Sequence, residues 1–226
     1  MKSIILLHGA LGDKAQVQNY FDSLKEFYNC YSFSFYGHGQ DATNNDEFTI
    51  DQFTLQLKEF IESNNLLGCS IFGYSMGGYV ALNLAKKFPH CVENIVTYGT
   101  QFKWTPESAT KEAQLLNPEK IDLKVPAFAK QLKTTHGSAW KEVVNKTKKM
   151  MLDLGNEPTL KIDDFETISH HILLTLGAKD NMADLEETLH VNRTLQDSQF
   201  MPIPNMPHPL NQVKPEVLVP LLLKHL

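Results

Sequence analysis

A serine between glycines is the residue in this chain whose setting most clearly suggests chemistry. Ser75 lies in the sequence Gly73-Tyr74-Ser75-Met76-Gly77, after a short apolar run and directly before a helical pattern. A serine on a tight turn from strand to helix exposes its hydroxyl, and small neighbours are needed because the backbone doubles back. The amides at the start of the helix favour negative charge beside it. Ser75 is therefore a candidate nucleophile for acyl transfer. The alternative is an ordinary serine in a glycine-rich turn, which the strand before and the helix after disfavour.

A serine is a poor nucleophile alone, so a general base and an orienting acid are needed. His208 lies between two prolines and follows a strand-like run over 199–203. Asp180 follows the buried-strand run 172–176 directly. The interval between these two residues leaves room for one helix and one strand. Asp180 and His208 can therefore lie at the same edge of a sheet. The sequence thus offers a nucleophile, an acid and a base in the order Ser, Asp, His.

A loop that can turn a backbone amide toward the serine follows the first apolar run. The run Ser3 to Leu7 is broken by His8-Gly9-Ala10-Leu11-Gly12, whose two glycines precede an amphipathic helix. We expect this loop to supply a hydrogen-bond donor for a developing oxyanion.

Together, the segments His8 to Gly12, Gly73 to Gly78, Gly177 to Asp180 and Pro207-His208 resemble the α/β-hydrolase superfamily over nearly the whole chain. The resemblance implies that Ser75 attacks the substrate, His208 shuttles the proton and Asp180 fixes the imidazole. It also implies an oxyanion hole that is formed by the amides of Ala10 and Met76, and no cofactor.

Apolar runs alternate with helical patterns, which is typical of crossover units that build a parallel sheet. We expect an α/β fold of the α/β-hydrolase type, with a mainly parallel sheet of about six strands in a single domain over 1–226. It is a minimal version, because the two strands that many members place before the His-Gly loop are not seen. Strands are predicted near 2–8, 30–35, 68–73, 94–98, 171–176 and 199–203, and helices near 14–28, 50–64, 76–88, 184–195 and 214–226.

No strand pattern occurs between about 101 and 165. Helical patterns there, over 107–116, 125–133 and 139–154, are separated by Pro118, Gly137 and Gly155. The stretch resembles the helical cap that the superfamily inserts over its sheet. The substrate pocket is expected between cap and sheet, although each of its candidates also fits simple packing within the cap. The candidates for lining the pocket are Leu11, Phe102, Trp104, Phe128, Trp140, Met150 and Met151.

Composition excludes several function classes. A formal net charge of −5 and the lack of a Lys/Arg cluster argue against a nucleic-acid partner. No apolar run reaches the length of a signal-peptide core or a membrane span, and the three cysteines fit a reducing compartment, so a cytoplasmic protein without a membrane partner is expected. His170 and His171 are adjacent and would point to opposite faces of a strand, so we predict no metal site.

The sequence therefore predicts a serine hydrolase acting on a carboxylic ester or thioester of a small to medium, apolar acyl group. The small-molecule substrate and the oligomeric state remain open at this point. The same framework also hosts lyases, acyltransferases and carbon–carbon bond hydrolases, as well as binding proteins with an idle triad.

Overall fold

A computed structural model describes residues 1–40 and 47–226. Within these residues six strands form one sheet in the order β2-β1-β3-β4-β5-β6, and every neighbouring pair is parallel. The predicted parallel sheet of six strands is confirmed. The strands are β1 Ser3–Leu7, β2 Asn29–Ser32, β3 Cys69–Tyr74, β4 Val92–Tyr98, β5 His171–Gly177 and β6 Ser198–Ile203.

Strand β1 lies between β2 and β3, so the chain adds a strand first on one side of β1 and then on the other. Such a reversal of strand order opens a crevice beyond the carboxyl ends of the strands, where open α/β sheets bind ligands. The loops after β1 and β3 are the two that border this crevice. They carry His8 to Gly12 and Ser75.

Helices cover both faces of the sheet, which explains why its strands read as continuous apolar runs. Side chains alternate along a strand, so Ile4 and Leu6 pack on one face, while Ile5 and Leu7 pack on the other. The helices that flank the sheet are α1 Gln18–Leu24, α2 Ile50–Ser63, α3 Met76–Lys87, α9 Leu185–Thr194 and α10 Pro215–His225.

Between β4 and β5 the described chain is helical, as predicted. Pro118 does not separate helices but begins one, since the first turn of a helix needs no N–H from it. Gly155 lies in the last turn of a helix that ends at Asn156, as predicted to within two residues, and a Cβ there would come within 2.4 Å of the Ala109 Cβ. The five inserted helices are α4 Pro106–Ala113, α5 Pro118–Lys124, α6 Pro126–His136, α7 Trp140–Asn156 and α8 Ile162–Phe165, of which α5 and α8 were not predicted.

Candidate active site

Ser75 occupies the turn between β3 and α3 with backbone angles of φ 51° and ψ −115°. This is a left-handed conformation that costs a residue with a side chain about 1–3 kcal/mol. Neighbouring residues hold it in place. The Ser75 N–H donates to the Tyr98 carbonyl at 2.9 Å, and the Thr100 hydroxyl donates to the Ser75 carbonyl at 3.0 Å. Tyr98 at the end of β4 and Thr100 just after it thus fix both backbone polar groups of the serine.

The turn is so tight that two glycines beside the serine have no room for a side chain. A Cβ on Gly73 would come within 2.5 Å of the Gly78 Cα, and one on Gly77 within 2.7 Å of the His8 carbonyl oxygen. Both obstacles are backbone atoms, which cannot rotate away. The close approach of α3 to β1 and β3 therefore requires glycine at both positions.

Asp180 and His208, which lie in loops after β5 and β6, meet at this edge of the sheet. The His208 Nδ1 lies 2.8 Å from the Asp180 Oδ2, and the other carboxylate oxygen accepts from the amides of Met182 and Ala183 at 2.8 and 2.9 Å. The Asp180 side chain is fully buried. Since a carboxylate only accepts, Nδ1 carries the proton and Nε2 is left as the acceptor.

Two tyrosines and a glycine position the imidazole. The Tyr98 hydroxyl donates to the Pro207 carbonyl at 2.5 Å, and the Tyr74 ring lies 5.5 Å from the His208 ring. Gly99 has φ 65°, and a Cβ there would come within 3.1 Å of the Asp180 Oδ2 and 3.2 Å of the His208 Nδ1. The aspartate and histidine are thus enclosed by buried aromatic side chains and by backbone.

The loop after β1 approaches the serine from the other side. A Cβ on Gly9 would lie 3.2 Å from the Ser75 Cβ. His8 anchors this loop, because its Nδ1 donates to the Gly9 carbonyl at 2.8 Å and its Nε2 accepts from the Phe35 amide at 3.0 Å. Burial lowers the pKa of His8 to about 4, so the ring is neutral at pH 7. His136 of α6 donates from Nε2 to the Leu11 carbonyl at 3.0 Å, which ties the inserted helices to the same loop.

A cavity of about 40 Å³ lies over the serine, which is room for a few water-sized groups. Ser75 and His208 both line it, and so do Ala10 and Met76. No direct hydrogen bond joins the Ser75 hydroxyl to the His208 ring in the described part of the chain. The first turn of α3 leaves the Met76 N–H without a partner within the helix. The residues on the cavity wall are Ala10, Ile50, Ser75, Met76, Tyr79, Gln101, Trp104, Glu112, Met150, Met151, Leu154, Met182 and His208.

The predicted pocket residues divide into two groups. Trp104, Met150 and Met151 line the cavity. The other four pack elsewhere: Phe102 is buried against Phe165, Trp140 lies in the small core of the inserted helices, and Phe128 and Leu11 pack against that core. Periodicity predicted their burial but did not indicate which buried face adjoins the serine. These four are Leu11, Phe102, Phe128 and Trp140.

Sequence reasoning missed Glu112, which is the only acidic side chain on the cavity wall among the described residues. Its residue is only 8% exposed, and its Oε2 has no hydrogen-bond partner in that part of the chain. Burial raises the pKa of Glu112, and the nearby Asp180 adds to this, while Lys111 and His208 oppose it. A glutamate on a short amphipathic helix normally indicates an exposed face, so no sequence signal distinguished this one.

The described residues contain no group of three or more His, Cys, Asp or Glu side chains arranged to hold a metal ion. Where the structure describes the chain, no helix combines the length and apolar character that crossing a bilayer requires.

Comparison with known proteins finds a matching family model and solved structures with the same architecture. A family model described as alpha/beta hydrolase fold matches residues 2–135. A thermophilic esterase from Thermogutta terrifontis superposes with a TM-score of 0.80 at 19% identity, covering 99% of this chain and 89% of that one. The enol-lactonase from Burkholderia xenovorans gives a TM-score of 0.78 at 15% identity over 99% and 90% of the two chains. At these identities the likeness shows a shared fold.

A curated relative aligns with part of the chain. The protein named probable alcohol acetyltransferase from Cyberlindnera fabianii is 28% identical over 106 residues. The alignment covers 46% of this chain and 29% of that protein. The match thus spans less than a third of the relative's length.

Proposed function

Because the chain belongs to the alpha/beta hydrolase fold family, we propose that it is a serine hydrolase that cleaves a carboxylic ester or thioester through an acyl-enzyme. The observation that carries the proposal is the buried hydrogen bond from His208 to Asp180 beside a cavity that Ser75 also lines. The fold shared with an esterase and an enol-lactonase supports hydrolase chemistry.

In the proposed reaction the Ser75 hydroxyl attacks the substrate carbonyl carbon, and His208 Nε2 takes the hydroxyl proton. The Asp180 carboxylate stabilises the imidazolium and holds the ring in the required tautomer. The carbonyl π electrons move to oxygen, and the amides of Ala10 and Met76 donate hydrogen bonds to that oxyanion. The mechanism requires the serine–imidazole hydrogen bond to form in the substrate complex, as is common for catalytic pairs.

When the tetrahedral intermediate collapses, the bond to the alcohol or thiol breaks and the leaving group takes the proton from His208. A water molecule then attacks the acyl-enzyme while His208 accepts one of its protons. The second collapse releases the carboxylic acid and returns the proton to Ser75. No cofactor takes part in any of these steps.

The cavity favours the small end of the predicted substrate range. Its walls are largely apolar and include Ile50, Met150, Met151 and Leu154. A cavity of about 40 Å³ has room for a few water-sized groups, which favours a short acyl group. Acetyl to butyryl esters are thus the proposed substrates, because α7 places Met150, Met151 and Leu154 on the cavity wall.

Acyl transfer to an alcohol is the second candidate function, and the partial match to an alcohol acetyltransferase favours it. The two functions share the acyl-enzyme and differ only in whether water or an alcohol accepts the acyl group. Measuring the acid and the ester that form from p-nitrophenyl acetate in the presence of ethanol distinguishes them. Ethyl acetate as the main product would favour the transferase.

Replacing the serine tests the hydrolase proposal. Ser75→Ala should lower kcat on p-nitrophenyl acetate by a factor on the order of 10⁶, because triad members act as a unit. A fluorophosphonate probe should label the wild-type protein at Ser75 and leave the variant unlabelled. The measurements are ester turnover and the mass of the labelled peptide.

Ser63→Ala is the matched control, since Ser63 is exposed at the end of α2, at the opposite edge of the sheet. It should keep both turnover and labelling. Unchanged turnover in folded Ser75→Ala would remove Ser75 from the mechanism.

A further inference from the structure

Two residues on the cavity wall each have a buried polar atom without a hydrogen-bond partner in the described part of the chain. The residues are Glu112, through its Oε2, and Trp104, through its Nε1. Both belong to the segment that follows β4, and both share one cavity with Ser75 and His208. Buried polar groups in proteins are nearly always hydrogen-bonded, and an unmade bond destabilises the fold. Five other described side chains also have such an atom, but of the seven only Glu112 and Trp104 line the cavity beside Ser75, which favours a partner that binds there.

The packing of α4 holds Glu112 in this position. Ala109, Glu112 and Ala113 form the buried face of the helix, where spacing by three and four residues places them side by side. Gly155 of α7 approaches the same face so closely that a Cβ would lie 2.4 Å from the Ala109 Cβ. The glutamate thus occupies a position where this tightly packed face otherwise carries alanine.

Among residues 1–40 and 47–226, no cation lies closer than 4.0 Å to the unpartnered oxygen. The nearest ion-pair partner is Lys111, whose Nζ lies 4.0 Å from the other oxygen, Oε1, and whose side chain is 75% exposed. Since burial raises the pKa of Glu112, its carboxyl group takes up a proton more readily than one in water. The group can therefore accept a hydrogen bond and, when protonated, also donate one.

The two atoms together limit the chemistry of their partner. The indole N–H of Trp104 only donates, so it needs an acceptor, whereas the carboxylate of Glu112 needs a donor. A substrate ammonium group offers no acceptor to the indole, and a ketone offers no donor to the carboxylate. A substrate carboxylate would be repelled by Glu112 and Asp180. A hydroxyl group both donates and accepts, and it is small enough for a cavity of about 40 Å³.

We propose that Glu112 and Trp104 bind a hydroxyl group of the substrate, so that the preferred substrates are short esters that carry one hydroxyl. This inference rests on the proposed ester hydrolysis and narrows its substrate class. The rest of the wall is apolar, which suits a short carbon skeleton around that hydroxyl. A site built to bond a hydroxyl discriminates strongly against an analogue that lacks it, because the buried polar groups then stay unpaired.

The test compares esters in which a hydroxyl replaces a methyl group of the same size. Three pairs cover the positions near the reacting carbonyl: methyl lactate with methyl isobutyrate, methyl 3-hydroxybutanoate with methyl 3-methylbutanoate, and 2-hydroxyethyl acetate with propyl acetate. Acid release in a pH-stat gives kcat/KM for each ester. The measured quantity is the ratio of the two kcat/KM values within a pair, which does not depend on how much of a preparation is folded.

In at least one pair the wild-type protein should favour the hydroxylated ester. Glu112→Leu should lower that ratio by about tenfold or more, and Trp104→Phe by about threefold to tenfold, since each removes one hydrogen bond while keeping an apolar side chain. Glu112→Gln keeps a donor and an acceptor and should retain most of the preference. The intrinsic reactivity of the esters cancels when the variants are compared with the wild type.

The outcomes separate this inference from the function on which it rests. Ratios that are the same in wild type, Glu112→Leu and Trp104→Phe for all three pairs would overturn the inference and leave the hydrolase proposal standing. Fluorophosphonate labelling of Ser75 without turnover of any hydroxylated ester would likewise overturn the inference and leave Ser75 as an activated serine. Loss of both turnover and labelling in the wild-type protein would overturn the hydrolase proposal itself.

Discussion

The carboxyl edge of the sheet, which carries Ser75, Asp180 and His208, differs from the segment 101–165 that covers it, here called the cover. The two regions differ in how fully their buried polar groups are hydrogen-bonded. At the edge, the Asp180 carboxylate accepts three hydrogen bonds, and Ser75 has both its backbone groups bonded. In the covering segment, Glu112 and Trp104 each leave a buried polar atom without a partner among the described residues. At the edge, the Asp180 carboxylate and the Ser75 backbone are thus fully hydrogen-bonded, whereas Glu112 and Trp104 in the cover each keep an unpaired polar atom.

This difference separates chemistry from selectivity. Groups that act on the transition state work best when they are already oriented, because no energy is then spent on reorganisation during the reaction. Groups that recognise a substrate can remain unpaired until it binds, and they then penalise any molecule that leaves them unpaired. Changes at the edge should therefore lower the rate for all esters alike, while changes in the cover should alter the choice between them.

After Ser75→Ala, Asp180→Asn gives the largest expected effect, and it tests this separation. An asparagine that presents its amide N–H to His208 Nδ1 favours the tautomer with the proton on Nε2, which cannot accept a proton from Ser75. We expect kcat to fall by a factor on the order of 10⁴. Steady-state kinetics on hydroxylated and plain esters should give the same factor for both.

The control for this variant is Asp184→Asn. Asp184 caps α9 through its Oδ1, which accepts from the Glu187 amide at 2.9 Å, and asparagine is an equally good cap. Its kinetics should stay close to those of the wild type. A loss in Asp180→Asn that differs strongly between hydroxylated and plain esters would break the proposed separation.

Acid should destabilise the protein through His8 at the edge. The folded-state pKa of about 4 lies below the usual 6.5, so the unfolded chain binds the proton first. Stability is therefore fully present above pH 6.5 and falls as the pH drops toward 4, by about 3 kcal/mol for this residue. Urea unfolding at several pH values between 4 and 7 measures this loss in the free energy of unfolding. His8→Gln should flatten the decline, since glutamine does not titrate.

His190→Gln is the matched control, because His190 is exposed on α9. It should leave the pH dependence of unfolding unchanged, and an equally steep decline in His8→Gln would contradict the prediction.

In the cover, the pH dependence of stability has the opposite sign. The raised pKa of Glu112 means that the folded state binds its proton more tightly than the unfolded chain, so this contribution to stability declines as the pH rises above about 4.5.

Tyr98→Phe gives the smallest expected effect. It removes the hydroxyl that bonds the Pro207 carbonyl at 2.5 Å, which should cost about 1 kcal/mol of unfolding free energy. It should also lower kcat several-fold, because the loop that carries His208 loses an anchor. Urea denaturation and ester kinetics on the same preparation measure the two changes.

Tyr20→Phe is a close match for comparison. The buried Tyr20 hydroxyl also donates to a backbone carbonyl, that of Val213 at 2.7 Å, but on the face of the sheet covered by α1 and α10. It should lose similar stability and keep its kcat. Equal kcat values in the two tyrosine variants would mean that Tyr98 does not position the histidine.

Five of the six strands could be predicted from the sequence to within two residues, because strands buried on both faces are continuous apolar runs that end in glycine or polar residues. The second strand, predicted near 30–35, ends three residues earlier, at Ser32. The inserted helices were harder. Pro118 was interpreted as a separator and in fact begins α5, whereas Gly155 does lie at the end of α7, where it allows close contact with α4. Local patterns do not distinguish a proline that breaks a helix from one that begins it.

The sequence by itself determined that Ser75, Asp180 and His208 each follow a strand, since parallel strands end at one edge of their sheet. Only the tertiary structure decided which buried residues face that edge. Phe102 and Trp140 are as apolar as Trp104 yet pack into cores, whereas Glu112 looks like a surface residue and lines the cavity. Periodicity defines the faces of a helix, but the packing of α4 against α7 determines which face meets the substrate.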